Sequence, residues 1–289
     1  MRGVAILLLI CGVTATQTFA GEIREFDVPT LERLGNELSH RDEIAARAAD
    51  IAAERDPTWK KVSPQYWITD PGQSADSVYL IDARQTVPVV VYKVIFPKSG
   101  SPSILDAHHQ PLPPGIAVRY RALRTAIKAA LPTLNVAYGP HYNYEVLNDP
   151  DGSGFLVYAL AAFTKKNVAY TGGHVRLTVS ADGAKVERID QLSHGIIEQK
   201  SDPGNEVVAL AVAQAVETNH PVETFLYESH LYHLPFHVAT NDGSSWRVVN
   251  GKIHKFTKAE LKGLRKRNDR SHNNPASDFG HQRNARCGQ

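Results

Sequence analysis

Apolar positions along this chain change period more than once. After Pro29-Thr30, Leu31, Leu34 and Leu38 fall at i, i+3 and i+7, which predicts a helix. Ser39 and Asp42 have the spacing of a capping box and predict a second helix, with Ile44, Ala48, Ile51 and Ala52 on one face and Asp56-Pro57 as its stop. Residues 77–83 and 87–96, rich in Val, Ile and Tyr, read as strands. The second is almost continuously apolar, which predicts burial on both faces, and Pro88 stands at its start, where a missing donor is tolerable. Residues 98–115 read as a loop containing Pro and Ser. Ile116, Tyr120, Leu123 and Ile127 then mark an amphipathic helix that carries Arg119, Arg121, Arg124 and Lys128 outward and stops at Pro132.

From Tyr142 the period is two. Strands are predicted over 142–147, 155–163, 168–180 and 185–192, joined by the turns at 148–152 and 181–183, where Asp and Gly supply the unusual backbone angles. Val175, Leu177 and Val179 alternate with Arg176 and Thr178, the pattern of a half-buried antiparallel strand. Whether 207–237 is strand or helix stays open in part: periodicity does not decide 207–216, whereas 228–237 is read as strand from its Tyr, Phe, Val and Thr flanks. Residues 246–254 form a hairpin around Asn250-Gly251, a type I′ pair, and Thr257 with Glu260 caps a short last helix. The fold class is α+β, a mostly antiparallel meander with segregated helices. The implied organisation is a signal peptide (1–20), a helical and hairpin region (21–135), the meander (136–256) and a basic, largely disordered tail (257–289).

The leader is read from Arg2, the ten-residue apolar stretch Val4–Val13 and the small residues up to Ala20, with cleavage after Ala20, Thr18 at the −3 position, and cleavage after Ala15 as the alternative. That apolar stretch is too short to span a bilayer of ~30 Å, so no transmembrane segment is expected after cleavage. Ile10 before Cys11 does not suit a lipobox. A periplasmic or secreted protein follows, with Cys287 left either as an exposed thiol or to pair with another chain. Hydrophobic residues at 42% and charged residues at 21% exclude collagen-like and wholly disordered chains. The net charge of +2 hides an asymmetry: residues 252–289 hold ten Lys or Arg against three acids, leaving an acidic body. The tail is a solvated terminus able to contact an anionic surface. Without interleaved aromatics, and in an exported protein, nucleic acid is not an expected partner.

Chemistry is sparse. Glu228, His230, His233 and His237 lie within ten residues and would suit zinc, but on a strand Glu228 and His230 point away from His233 and His237. Polar histidines on sheet faces are the preferred reading. His108 and His109, with Asp106, form a loop candidate; Tyr142 and Tyr144 could line a groove or cover a sheet edge. The turn from Asp149 lacks the acid at position 12 that a calcium loop needs, since Leu160 stands there. The sequence contains no His-Glu-x-x-His, Gly-x-Ser-x-Gly, Walker or dinucleotide-binding motif.

The segments 155–162 and 172–183, with Pro221-Val222-Glu223-Thr224 and the Trp246-Arg247-Val248 hairpin, resemble exported Gram-negative bacterial proteins of uncharacterised function over roughly 142–255. The resemblance implies an envelope location and carries no catalytic residues. The expectation is therefore a non-catalytic binding protein with no favoured cofactor, whose partner is an envelope protein or polysaccharide. The alternatives are a zinc-dependent hydrolase using the 230–237 histidines, and an inhibitor or immunity-type protein presenting the 98–115 loop.

Overall fold

Two four-stranded antiparallel sheets meet along their outer strands, and one long helix crosses the junction. The computed structural model describes residues 22–56, 65–84, 86–134, 141–162, 168–200 and 207–263. The stretch predicted as a leader (1–20), both cysteines, residues 138–140 and the dense basic run beyond 263 lie outside them. The chain divides into two compact units, Met1–His254 and Lys255–Gln289. In the second, Glu260 accepts from the Thr257 amide and hydroxyl at the start of a helix over 258–263, the predicted capping box.

In the first unit, α1 (Val28–Arg55) starts at Asp27, whose carboxylate accepts from the Thr30 amide, and ends at Asp56. It is one helix where two were expected. Leu31, Leu34, Leu38, Arg41, Ala45, Ala48 and Ala52 form one continuous buried stripe, so nothing requires a break at Ser39. The Ser39 hydroxyl donates to the Gly35 carbonyl instead of capping.

The first sheet is a meander of β1 (Tyr66–Asp70), β2 (Ala75–Asp82), β3 (Val89–Pro97) and β4 (Ser103–Pro111). Helix α2 (Pro114–Ala130) follows. The second sheet has the order β5-β6-β8-β9, from β5 (His141–Asn148), β6 (Phe155–Ala162), β8 (Val175–Val179) and β9 (Val186–Gln191). The predicted strand over 168–180 is two strands. Gly172 and Gly173 both have positive φ, which breaks it, so β7 (Val168–Gly172) leaves to pair with β10 (Ile196–Lys200). The last sheet runs β11 (Leu210–Ala213), β12 (Phe236–Ala239), β13 (Ser245–Val249), β14 (Lys252–Lys255), with β11 parallel to β12. Asn250 and Gly251, both at positive φ, make the predicted turn between β13 and β14.

Two further expectations are corrected. Residues 103–111, read as loop, form an edge strand whose register on β3 shifts between Val90 and Tyr92, and His109 sits in that irregularity with φ 58°. Residues 224–232, which include the first half of the 228–237 stretch read as strand, are helix α3 (Thr224–Tyr232). Thr224, Leu226, Tyr227, Glu228 and Ser229 are all buried, so burial surrounds the helix and erases the amphipathic signal. His233, in the left-handed conformation, ends α3, and Pro235 precedes β12.

Sheet pleating sorts the core. Ile68, Tyr79, Val157, Ala159, Leu177 and their neighbours pack under α2. On the opposite face, Val78, Leu80 and Val94 pack under the second half of α1. Leu156, Tyr158, Leu160, Leu226 and Phe236 join its first half. Both faces of β3 and β8 are covered, so Arg176, expected at a solvated face, is 1% exposed.

No strand pairing joins β1 to β5 among the described residues. Side chains do so instead. Arg41, in the middle of the α1 stripe and 1% exposed, donates to the Thr69 carbonyl and hydroxyl on β1 (both 3.1 Å) and to the Val146 carbonyl on β5 (2.8 Å). Glu145 accepts from Trp67 Nε1 (2.9 Å) and the Thr69 hydroxyl (3.0 Å). Replacing Arg41 by Met removes all three hydrogen bonds that it donates across the junction. It is expected to cost on the order of 3 kcal/mol in urea unfolding, whereas Arg33→Met, at an exposed pair with Glu37, stays within about 0.5 kcal/mol. Equal effects of the two substitutions would remove Arg41 from this role.

Candidate functional site

Helices α1 and α3 cross where a Cβ on Gly35 would stand 2.5 Å from Leu226 Cβ and 2.6 Å from the Glu223 carbonyl, so only glycine permits that approach. Beside the crossing, an open cavity of about 570 Å³ lies between the helices. Residues 36, 39, 40, 43 and 46 line it from α1 at helical spacing, with Asp42; Tyr227, His230, Leu231 and His233 line it from α3 and its cap.

Its polar groups are tethered from behind. Asn36 Nδ2 donates to the carbonyls of Glu32 (2.6 Å) and Gly251 (3.0 Å), and its Oδ1 stands 2.9 Å from His230 Nε2. Asp42 accepts from Asn143 Nδ2 on β5 (2.9 Å) and from the Tyr227 hydroxyl (3.1 Å). Burial raises the Asp42 carboxyl above the usual range, against the pull of these two donors and the nearby His174. Burial, reinforced by the Asp42 charge, likewise pushes the Tyr227 phenol up, so it remains a donor.

Behind Tyr227 the anchoring is tighter still. The Ala161 amide donates to His174 Nδ1 (3.1 Å), which leaves the proton on Nε2, 2.9 Å from Glu228 Oε1. The same oxygen accepts from the Gly172 amide (2.7 Å). His174 and Tyr227 meet edge to face. One turn earlier, Glu223 accepts from the Tyr158 hydroxyl (2.8 Å) and Arg176 (2.6 Å). Arg176 also pairs with Asp190 (2.9 Å). Helix α3 is thus pinned to the second sheet by two buried carboxylates.

The sequence candidates separate. His230 and His233 reach the cleft; Glu228 faces the opposite side of α3, against His174; His237 lies half-buried on β12, where burial lowers its pKa. No group of three or more His, Cys, Asp or Glu among the described residues is placed to hold a metal ion. Tyr142 and Tyr144 share the α2 face of β5 with Val146, beside a pocket of about 90 Å³ that Tyr66, Trp67 and Leu123 also line. His109 is exposed on the edge strand β4, and His108 occupies the adjacent position. Sequence reasoning missed Asn36, His40, Asp42, Glu43 and Tyr227. The polar i, i+4, i+7 run 36-40-43 was a signal, although a solvated helix face has the same pattern. No protein-family model matches the chain, and no curated protein or solved structure shows significant similarity to it.

Asp42 has a closed counterpart. Burial raises the Glu145 carboxyl to about 7, against the opposing hydrogen bond from Trp67 and the Arg41 charge. A proton held more tightly in the folded state stabilises fully below the unfolded value near 4.5, and that stability is lost as pH rises through 7. Between about pH 5 and about pH 8 the Glu145 contribution should fall by roughly 2 to 3 kcal/mol. Glu145→Gln, which mimics the neutral acid, should flatten most of that slope in urea midpoints measured across the range. An unchanged slope assigns the titration elsewhere.

Proposed function

We propose that this is an exported cell-envelope protein that acts by binding a small ligand in the α1–α3 cleft, without turning it over. The carrying observation is a ligand-sized cavity whose hydrogen-bonding groups are fixed by a part-buried network before any ligand arrives. Leu231, a large apolar side chain 46% exposed at its wall, supports the same reading. The leader-like first twenty residues support export, and the 142–255 resemblance agrees.

Ala46 is exposed on α1 and faces the cavity, so Trp at this position fills the cleft without disturbing the core. A thermal-shift panel of amines, carboxylates, phosphates and neutral sugars should contain stabilising compounds for the wild type. Ala46→Trp should abolish their shifts while its own midpoint moves by no more than about 2 °C. Shifts that persist in the variant place binding elsewhere. Intact mass of the protein recovered from the envelope should begin at Gly21; retention of the leader would overturn the export reading.

A further inference from the structure

Buried carboxylates in this fold have partners. Asp76, Asp82, Asp149, Asp190 and Glu223 each hold a Lys or Arg, and Glu228 holds His174. Among the described residues, Glu145 at the sheet junction accepts from Trp67 and Thr69, and Asp42 in the cleft accepts from Asn143 and Tyr227, all neutral donors. Glu145 is closed off from solvent at 1% exposure, so no cation can reach it from outside. Asp42 is half-buried and faces the cavity, so a cation can reach it from outside.

The rest of the lining agrees. It contains a second acid, Glu43, and no Lys or Arg among the described residues. Glu43 pairs with Arg47 only at 4.0 Å, both side chains exposed. Tyr227, an aromatic side chain of the kind that attracts an ammonium group, is part of the lining, as are His230 and His233, while His40 is turned to Asp76 (2.8 Å). Leu231 supplies an apolar wall for an alkyl chain.

Resting on the cleft as the binding site, we propose that its ligand is a small molecule carrying a primary ammonium on an unbranched alkyl chain, with Asp42 as counter-ion. Asn143 and Tyr227 hold the carboxylate from behind and leave it lone pairs for an N–H donor. Glu43 adds attraction at the mouth.

Isothermal titration of the full mature chain near neutral pH tests this with cadaverine, pentanediol, glutarate and Nα-acetyl-lysine amide. Cadaverine should bind, and the diol and the dianion, of similar length, should bind at least about tenfold more weakly. Asp42→Asn should weaken cadaverine by about tenfold or more. Glu43→Gln, at an exposed helical position, should weaken it by about two- to fivefold with an unchanged melting temperature, which keeps the test valid if the Asp42 variant folds poorly. Lysine amide binding as tightly as cadaverine makes a lysyl side chain the source of the ammonium; weaker binding makes it a free amine. Diol or glutarate binding as tightly as cadaverine, yet still blocked by Ala46→Trp, overturns the amine assignment and leaves the cleft standing. If no probe in the wider panel is sensitive to Ala46→Trp, the cleft itself fails as the site.

Discussion

The junction of two sheet edges is the constraint on which this fold depends. Strands β1 and β5 each end a ladder, and an edge presents unpaired backbone groups that must find partners when covered. Arg41 answers this by donating to a carbonyl on each edge, and Arg119 reaches the Val146 carbonyl from α2. A guanidinium suits the task because its fan of donors serves two strands at once. Burying it has a consequence for α1. The helix must lie across both sheets with Arg41 over the junction, and Asp42, one residue on, is then carried to Asn143 of β5 and Tyr227 of α3. The cleft is a by-product of where the arginine has to be.

The second wall of the cleft is fixed by different chemistry. Helix α3 has only nine residues, too few to stand alone in water, and it has no side-chain cap at its start. Its position comes from Glu223 and Glu228, one accepting from Tyr158 and Arg176, the other from His174 and the Gly172 amide. Buried ionic groups are weak sources of net stability, but these two meet their donors in only one arrangement. They set the direction in which Tyr227, His230 and Leu231 face. The glycine at 35 then lets the two helices touch, so the cavity lies beside a tight crossing.

Much of the fold was legible where one face of an element meets water. The alternation in β5, the Asn250-Gly251 turn and the amphipathic α2 all announce themselves, because period and composition reflect two unlike faces. Legibility failed where that contrast disappears. Helix α3 is buried nearly all round, and Pro235 belongs to the turn after it, so its residues read as strand. The edge strand β4 is mostly exposed and read as loop. The 168–180 stretch hid a break because Gly172-Gly173 looks like strand glycine until its backbone angles are known. The site was harder again. The 228–237 cluster draws the eye by density of histidine, yet helix, cap and strand aim its members in different directions. Asn36, Asp42 and Tyr227 lie up to nearly two hundred residues apart, and nothing local ties them into one site.

Asp42 and Glu145 show how position decides the chemistry of one functional group. Both are carboxyls, both are raised by burial, and both are held by uncharged donors around the same junction. Each would destabilise the fold if ionised without compensation. For Glu145, sealed between β1 and β5, the compensation is a proton, and its consequence is structural: the junction prefers mildly acidic conditions. For Asp42 the cleft admits a second form of compensation, an external positive charge, and its consequence is recognition. The difference comes from the side on which each residue leaves its element. Glu145 projects along β5 into the closed angle between the sheets, whereas Asp42 leaves α1 toward α3, where the helices stand apart enough to admit solvent.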